Sequence, residues 1–237
     1  MMADVRFRAG SGGSLSGQLR VPGDKSISHR SIMLGSLAEG VTRISGFLEG
    51  ADSLATLAAF RAMGVAIEGP DDGRVVVNGV GLHGLRAPDG PLYLGNAGTS
   101  MRLLSGLLAG QSFDVTLTGD ASLSGRPMKR VTAPLSDMGA RIDSTVDDTA
   151  PLTIHGGQRL HGIDIDVPAD ISSAAFFLVG ASIAPGSDLL LQHVGMNPTR
   201  TGIIDILRLM GARIDVSNER DVGGEPVADL RVQSAEL

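Results

Sequence analysis

Apolar residues recur along the chain in two alternating helical patterns. The first is apolar on nearly every side, as in SIMLGSLAEG (31–40), LLSGLLAG (103–110) and FLVGASIAPG (177–186), which predicts a buried helix. The second is amphipathic, as in DSLATLAAFRAMG (52–64), and predicts an outer helix with one side in solvent. Short runs rich in β-branched residues follow, such as RVVVNGV (74–80), and predict strands.

Two independent markers repeat with one period. A Met-Gly pair ends each amphipathic run, at Met63, Met138 and Met210. A glycine interrupts each apolar run, at Gly35, Gly106 and Gly180. A shared period of about 73 residues indicates three tandem units, over about 21–92, 93–165 and 166–237, with 1–20 as a preceding segment.

This pattern predicts an α/β fold. Each unit reads helix, strand, helix, strand, and usually one more strand. We expect the three units to surround a pseudo-threefold axis, with three buried, roughly parallel first helices at the centre. Small sheets and the amphipathic helices would lie outside, so that residues 21–237 form one domain.

The composition excludes or disfavours several classes of function. The 237 residues are 42% apolar, which allows a large core, and no long apolar run predicts a membrane span. The net charge of −6 and the scarcity of aromatic residues disfavour nucleic-acid binding. The chain has no cysteine, which excludes disulfides and thiolate metal sites and is compatible with the cytoplasmic location that we expect. The first residues do not have the pattern of a secretory signal.

Polar and cationic residues decorate the start of each apolar helix. They are Lys25, Ser26, Ser28 and Arg30 in the first unit, Asn96, Gly98, Thr99, Ser100 and Arg102 in the second, and Asp170, Ser172 and Ser173 in the third. Serine and asparagine at such positions are most often simple N-caps. Cations there oppose the helix dipole, however, so Lys25 and Arg30 indicate an anionic partner. The sequence therefore predicts a cleft for small phosphorylated or carboxylated ligands.

Two arginines occupy equivalent places one repeat period apart, Arg126 in GDASLSGRPM and Arg200 in MNPTRTG. Each alone is typical of a solvated side chain, but equivalent places in repeats favour shared contact with a ligand. There is no nucleotide-binding glycine loop and no metal-spaced cluster of ligands, so we expect no cofactor and no metal. His29 has no motif around it, and a catalytic role for it is the less favoured interpretation.

Three segments resemble the signature segments of the 5-enolpyruvylshikimate-3-phosphate (EPSP) synthase family: PGDKSISHR (22–30), LGNAGTSMR (94–102) and GDASLSGRPM (119–128). The resemblance implies an enolpyruvyl transferase fold and membership of the shikimate pathway of aromatic amino acid biosynthesis. Such enzymes transfer the enolpyruvyl group of phosphoenolpyruvate to the 5-hydroxyl of shikimate 3-phosphate without a metal or cofactor, and glyphosate competes at their phosphoenolpyruvate site. Family members have about six repeat units, so the resemblance implies an N-terminal half that lacks its second domain.

The family's substrate-binding positions carry over by motif. For shikimate 3-phosphate they are Lys25, Ser26, Arg30, Ser172, Ser173 and Arg200. For phosphoenolpyruvate they are Lys25, Asn96, Gly98 and Arg126, and Lys25 is the one assigned to catalysis. Ala174 stands where many members have a substrate-contacting glutamine, and Leu103 where many have proline. The isolated chain is expected to bind weakly and to be inactive, and residues 1–20 to pack against the second domain.

Three alternatives stay open at this point. The related UDP-N-acetylglucosamine enolpyruvyl transferases share the fold but commonly use a cysteine, which this chain lacks. A non-catalytic domain that binds anionic metabolites would carry the same cleft. A nucleic-acid protein on a related repeat fold is disfavoured by the negative charge.

Overall fold

The first unit alternates two helices with three strands. The computed structural model describes Gly12, Ser14 and residues 16–237, so most of the predicted segment 1–20 lies outside the described residues. The unit contains α1 (Lys25–Leu37), β1 (Glu39–Ile44), α2 (Ala51–Ala62), β2 (Ala66–Asp71) and β3 (Arg74–Val80). Its antiparallel sheet has the order β1-β3-β2.

The second unit has shorter strands and an extra helical turn. Its elements are β4 (Leu92–Tyr93), α3 (Gly98–Ala109), β5 (Val115–Thr118), α4 (Ala121–Ser124), α5 (Lys129–Asp137), β6 (Ile142–Asp143) and β7 (Leu152–Ile154). The sheet order is β4-β5-β7-β6, with β4 parallel to β5 and the other pairs antiparallel.

The third unit repeats the element order of the first. It consists of α6 (Ile171–Ile183), β8 (Asp188–Gly195), α7 (Gly202–Leu209), β9 (Arg213–Val222) and β10 (Glu225–Gln233). The sheet is antiparallel in the order β8-β10-β9. In both the first and the third unit, the third strand therefore lies between the first and the second.

The outer helices end where the Met-Gly pairs predict. Met63, Met138 and Met210 are the C-cap residues of α2, α5 and α7. The glycine that follows each has a positive φ, +88° at Gly64, +103° at Gly139 and +107° at Gly211. An L residue with a side chain adopts that conformation reluctantly, which explains why glycine stands there.

The buried apolar side chains form two separate clusters. The larger joins the first two units and includes Phe60, Leu57, Leu104 and Leu117, all at most 2% exposed. The smaller lies within the third unit, between α6, α7 and the β8-β10-β9 sheet. The chain therefore contains one core shared by two units and a second core that belongs to the third unit alone.

The prediction of three buried inner helices is wrong for α6. Phe176 is 81% exposed and Phe177 58%, and Ile183 also faces solvent, because α6 packs only against its own sheet and α7. Its apolar composition predicts burial but does not supply the surface that would bury it. The pseudo-threefold arrangement stays a prediction.

Candidate functional site

The start of α1 is fixed by its own side chains. The carboxylate of Asp24 accepts a hydrogen bond from the Ile27 N–H at 2.8 Å and caps the helix. The Ser28 hydroxyl donates to the Asp24 carbonyl at 2.8 Å and accepts from the Leu48 N–H at 3.0 Å. Ser28 thus links the start of α1 to the loop after β1. This is a structural role, and not contact with a ligand.

The two cations of α1 differ in their partners. The Lys25 ammonium forms an ion pair with Asp52 at the start of α2. The Arg30 guanidinium donates to the Ser26 carbonyl at 3.1 Å, and its side chain is exposed. Asp52 therefore supplies, within the chain, the anion that the helix dipole requires beside Lys25, and a ligand at Lys25 would compete with that carboxylate.

A buried polar chain joins α1, α2 and α3 behind these groups. His29 is fully buried, and its Nδ1 shares hydrogen bonds with Thr56 Oγ1 at 2.8 Å and Ser100 Oγ at 3.2 Å. The two hydroxyls lie 2.5 Å apart. Burial, and then the charge of Lys25, lower the pKa of His29, so the ring is neutral near pH 7. These bonds fix the helix starts that carry Lys25 and Gly98 relative to one another.

The start of α3 lacks the carboxylate cap found on α1. Its N-cap is Ala97, with no side-chain hydrogen bond, and its first turn contains no acid. Asn96, just before it, donates to Asp120 at 2.9 and 3.2 Å and accepts a hydrogen bond from Arg126. The backbone N–H of Leu123, and then Asn96, lower the pKa of Asp120. Three residues distant in sequence are thereby held around one helix N-terminus.

Two guanidinium groups meet at Gly98. A Cβ built on Gly98 would lie 2.9 Å from Nη1 of Arg102 and 3.0 Å from Nη1 of Arg126. Arg102 donates to the carbonyls of Gly98 at 3.4 Å and Pro127 at 3.2 Å. Burial, followed by the charges of Arg126 and Arg130, lowers the pKa of Arg102, although an arginine stays protonated in proteins. Among the described residues, neither Arg102 nor Arg126 has a carboxylate within ion-pair distance.

The sequence predicts Arg102 at the start of α3, and the family resemblance does not assign it to the site. The signal was available, because Gly98 and Arg102 are four residues apart and therefore lie on the same face of α3. The lysine, asparagine, glycine and arginine predicted for phosphoenolpyruvate thus fall at two adjacent helix starts, with Arg102 added.

Ser172, Ser173 and Arg200 lie together in the third unit. Asp170 caps α6 by accepting from the Ser173 N–H at 2.9 Å, while Arg200 donates to the Ser172 hydroxyl at 2.6 Å and pairs with Asp170 at 3.2 Å. The backbone N–H groups of Ser173 and Ser172 lower the pKa of Asp170. Within the described part of the chain, no hydrogen bond or ion pair joins this group to the residues around Gly98.

The surroundings of Gly98 suit a small anion. Free N–H groups at a helix N-terminus and two unpaired arginines favour a phosphate or carboxylate, which a guanidinium can bind through two parallel hydrogen bonds. In residues 16–237, no three metal-ligating side chains come together. No helix of the described chain is both long and apolar enough to cross a membrane. Fold and site together define an α/β protein with a cationic helix start whose chemistry suits small anions.

Comparisons with known proteins give the family. The model of the family EPSP synthase (3-phosphoshikimate 1-carboxyvinyltransferase) matches residues 10–154 and 144–236. The 3-phosphoshikimate 1-carboxyvinyltransferase of Alkalilimnicola ehrlichii is 60% identical over 300 residues, covering 98% of this chain and 67% of the relative. That of Methylococcus capsulatus is 56% identical over 301 residues, covering 99% and 69%. An EPSP synthase structure from Acinetobacter baumannii is 47% identical, with a TM-score of 0.61, covering 92% of this chain and 64% of that one.

The chain belongs to the EPSP synthase family, a family of transferases, which confirms the resemblance carried by the three signature segments. It spans about two thirds of the length of the curated relatives it matches. The prediction that it represents part of the enzyme is confirmed.

Proposed function

We propose that this chain is the part of an enolpyruvyl transferase that holds phosphoenolpyruvate and part of shikimate 3-phosphate. The reaction transfers the enolpyruvyl group to the 5-hydroxyl of shikimate 3-phosphate and releases phosphate. Both substrates are anions with a phosphate, and phosphoenolpyruvate also has a carboxylate. The site around Gly98 supplies the matching chemistry of fixed cations and helix N–H groups.

The observation that carries the proposal is the pair of arginines at the uncapped start of α3. Arg102 and Arg126 converge on Gly98 and have no carboxylate partner among the described residues. Cations held close together repel one another, so the arrangement favours an anion that would neutralise both. Asn96 orients Arg126 by accepting its hydrogen bond, and we assign all of these residues to phosphoenolpyruvate.

The shikimate 3-phosphate side is assigned to the start of α1. Lys25, Ser26 and Arg30 lie in its first two turns, and Lys25 is 52% exposed in spite of its ion pair with Asp52. We propose that the substrate phosphate displaces Asp52 from Lys25 and that Lys25 then reaches both substrates. For Ser172, Ser173 and Arg200, binding of the shikimate phosphate stays a prediction that no contact to Lys25 supports.

The chain alone is proposed to bind weakly and not to turn over. Stabilising a transition state requires charges on both sides of the reacting atoms, and the described residues bring cations to one side. The exposed aromatic side chains of Phe176 and Phe177 on α6 support a further part of the enzyme as a partner. Two or three charge-assisted hydrogen bonds at about 1.5–3 kcal/mol each, less the cost of association, give roughly millimolar to high-micromolar affinity.

Isothermal titration calorimetry tests the proposal. Phosphoenolpyruvate and shikimate 3-phosphate are titrated separately into the chain and into the variants Lys25→Ala and Arg126→Gln. Arg43→Gln is the matched control, because Arg43 is exposed on β1. We expect Arg126→Gln to abolish phosphoenolpyruvate binding, Lys25→Ala to weaken both ligands, and the control to change neither. Equal binding by the chain and both site variants would refute the assignment.

A further inference from the structure

The relatives carry a segment that this chain lacks. The match to the Alkalilimnicola ehrlichii protein extends over 300 aligned positions, but 98% of 237 residues supplies only about 232 of them, so about 68 positions have no counterpart here. The same comparison leaves about 66 positions for Methylococcus capsulatus and about 72 for Hydrogenovibrio crunogenus. Each number is close to the length of one repeat unit, which is about 73 residues.

The gap falls between the second and third units. The family model matches this chain in two segments that meet at residues 144–154. The larger apolar cluster ends at Ile154 among its buried members, and the smaller begins at Ile171. Residues 155–168 between them contain no helix or strand. The family-model segments meet at 144–154 and the packing breaks just after, at 155–168, so both place the discontinuity near the boundary between the second and third units.

Burial of α1 and α3 shows what is absent from the fold. The marker glycines Gly35 and Gly106 align the two helices position by position. Ile32 of α1 is fully buried, whereas its equivalent Leu103 is 37% exposed. Leu34 of α1 is 68% exposed, whereas its equivalent Ser105 is fully buried. Each helix thus buries one flank in the core shared by the first two units and exposes the opposite flank.

Helices α1 and α3 hold equivalent places in their units and expose opposite flanks. This indicates a group of such helices from which at least one further helix is absent. Gly106, in the middle of α3, supports this because no atom lies within 4 Å of a Cβ built there. A glycine inside a helix costs stability relative to alanine, and close approach of another backbone is a common reason for it. In this chain nothing described approaches Gly106.

The third unit does not fill that position. The equivalents of Ile32 and Leu34 in α6 are Phe177 and Val179, which are 58% and 37% exposed. Both flanks of α6 are therefore open, and its core is separate from that of the first two units. It behaves as the first member of another group rather than as the third member of this one.

We infer that one whole α/β unit, of the length of one repeat, is absent between the second and third units, and that the open flanks of α1 and α3 form its docking surface. We define this surface by Ile27, Leu34, Leu103 and Gly106. Its occupant is a further α/β unit of the length of one repeat, for which the Alkalilimnicola ehrlichii protein carries about 68 positions without a counterpart in this chain. It follows that Ser172, Ser173 and Arg200 belong to a different group of units from Lys25. The docking surface would be present whatever reaction the complete enzyme performs.

A chimera tests the inference. The roughly 68 positions of the Alkalilimnicola ehrlichii protein that face the gap are inserted into the stretch 155–168 of this chain. Leu34→Glu is then made in the chain and in the chimera. Leu82→Glu is the control, at a comparably exposed leucine that is not among the four residues that define the docking surface. Thermal unfolding and the fluorescence of an apolar dye are measured on all of them.

In the chain as it exists, we expect Leu34→Glu to leave Tm unchanged and to reduce dye fluorescence. In the chimera, the same substitution should lower Tm by more than about 4 °C, because the glutamate would be buried. Leu82→Glu should leave Tm unchanged in both. Equal tolerance of Leu34→Glu in the chain and the chimera would overturn the inference.

Two further measurements test the inference even if the chimera does not fold. A charged substitution at the residue aligned with Leu34 in the complete Alkalilimnicola ehrlichii protein should lower its Tm by a similar amount, and a tolerated charge there would overturn the inference. Light scattering on this chain should show a monomer. A dimer that Leu34→Glu dissociates would mean that a second copy occupies the surface, which would also overturn it.

Discussion

Replacing Gly98 by alanine separates the stability of the chain from its ability to bind an anion. The added methyl group would lie 2.9 Å from Nη1 of Arg102 and 3.0 Å from Nη1 of Arg126, closer than the roughly 3.5–4.0 Å of an optimal contact. Both atoms are the ends of flexible side chains, so the guanidinium groups move and the backbone does not. The φ of Gly98 is outside the positive region, so alanine fits the backbone.

The added methyl group opposes ligand binding but favours the helix. Displacing Arg126 breaks its hydrogen bond to Asn96 and removes one charge-assisted contact to the ligand, worth about 1.5–3 kcal/mol, or roughly 10- to 150-fold in Kd. Alanine in a helix is favoured over glycine by up to about 1 kcal/mol. The lost hydrogen bond, worth about 0.5–1.5 kcal/mol to the folded chain, offsets this gain. We therefore expect Gly98→Ala to lose phosphoenolpyruvate affinity while its free energy of unfolding changes by no more than about 1 kcal/mol.

Calorimetry with phosphoenolpyruvate and urea unfolding measure the two quantities. Gly106→Ala is the matched control, since it lies in the same helix with open space around its Cβ position. It should gain about 0.5–1 kcal/mol of stability and bind phosphoenolpyruvate unchanged. In a complete enzyme that carries this site, Gly98→Ala should also weaken inhibition by glyphosate. Unchanged affinity in Gly98→Ala would refute the steric argument.

Three more perturbations probe the ion pair, the buried histidine and the two cores. Asp52→Asn should release Lys25 and tighten shikimate 3-phosphate binding by up to about fivefold at low salt, since exposed ion pairs are worth at most about 1 kcal/mol; a weaker Kd by calorimetry would contradict the competition. The lowered pKa of His29 means that the unfolded chain binds a proton first, so stability should fall as pH drops below about 6.5, by up to about 1.4 kcal/mol per pH unit. Urea unfolding of His29→Gln between pH 7.5 and 5 should show a smaller loss than the parent, and an equal loss would argue against His29 as the titrating group. Leu117→Ala should lower the free energy of unfolding by about 2–5 kcal/mol. It should shift a different urea transition from the one that Leu178→Ala shifts, because the two leucines lie in separate clusters. A single transition shifted equally by both substitutions would show one cooperative core.

Local chemistry made the interior of each unit predictable. The Met-Gly pairs mark the ends of α2, α5 and α7 because a positive φ after a helix favours glycine, and this requirement depends on neighbouring residues alone. The stretch 74–80 is β3 as predicted. The arrangement between units is different, because it depends on surfaces brought by other parts of the chain. The apolar pattern of α6 predicted burial, and no partner surface is present among the described residues to provide it.

The candidate site shows the same division. Asn96, Gly98 and Arg126 were predicted, and the structure holds them around one helix start. Arg102 was not assigned, although its spacing from Gly98 placed it on the same helical face. Ser172 resembles a substrate-binding serine in the sequence, but its partners are Arg200 and, through that arginine, Asp170. A short motif fixes a helix start and does not fix which other helix start lies beside it.

The cations at the starts of α1 and α3 also differ in whether a carboxylate of the chain pairs with them. A cation at a helix N-terminus needs an anion nearby. At α1 the chain supplies Asp52 to Lys25, so a substrate phosphate has to displace a carboxylate. At α3, Asp120 is held by Asn96 and, among the described residues, forms no ion pair with Arg102 or Arg126, so an anion binds there without displacing a carboxylate. The α3 side should therefore retain more of its affinity in this incomplete chain, and phosphoenolpyruvate should bind it more tightly than shikimate 3-phosphate binds the α1 side.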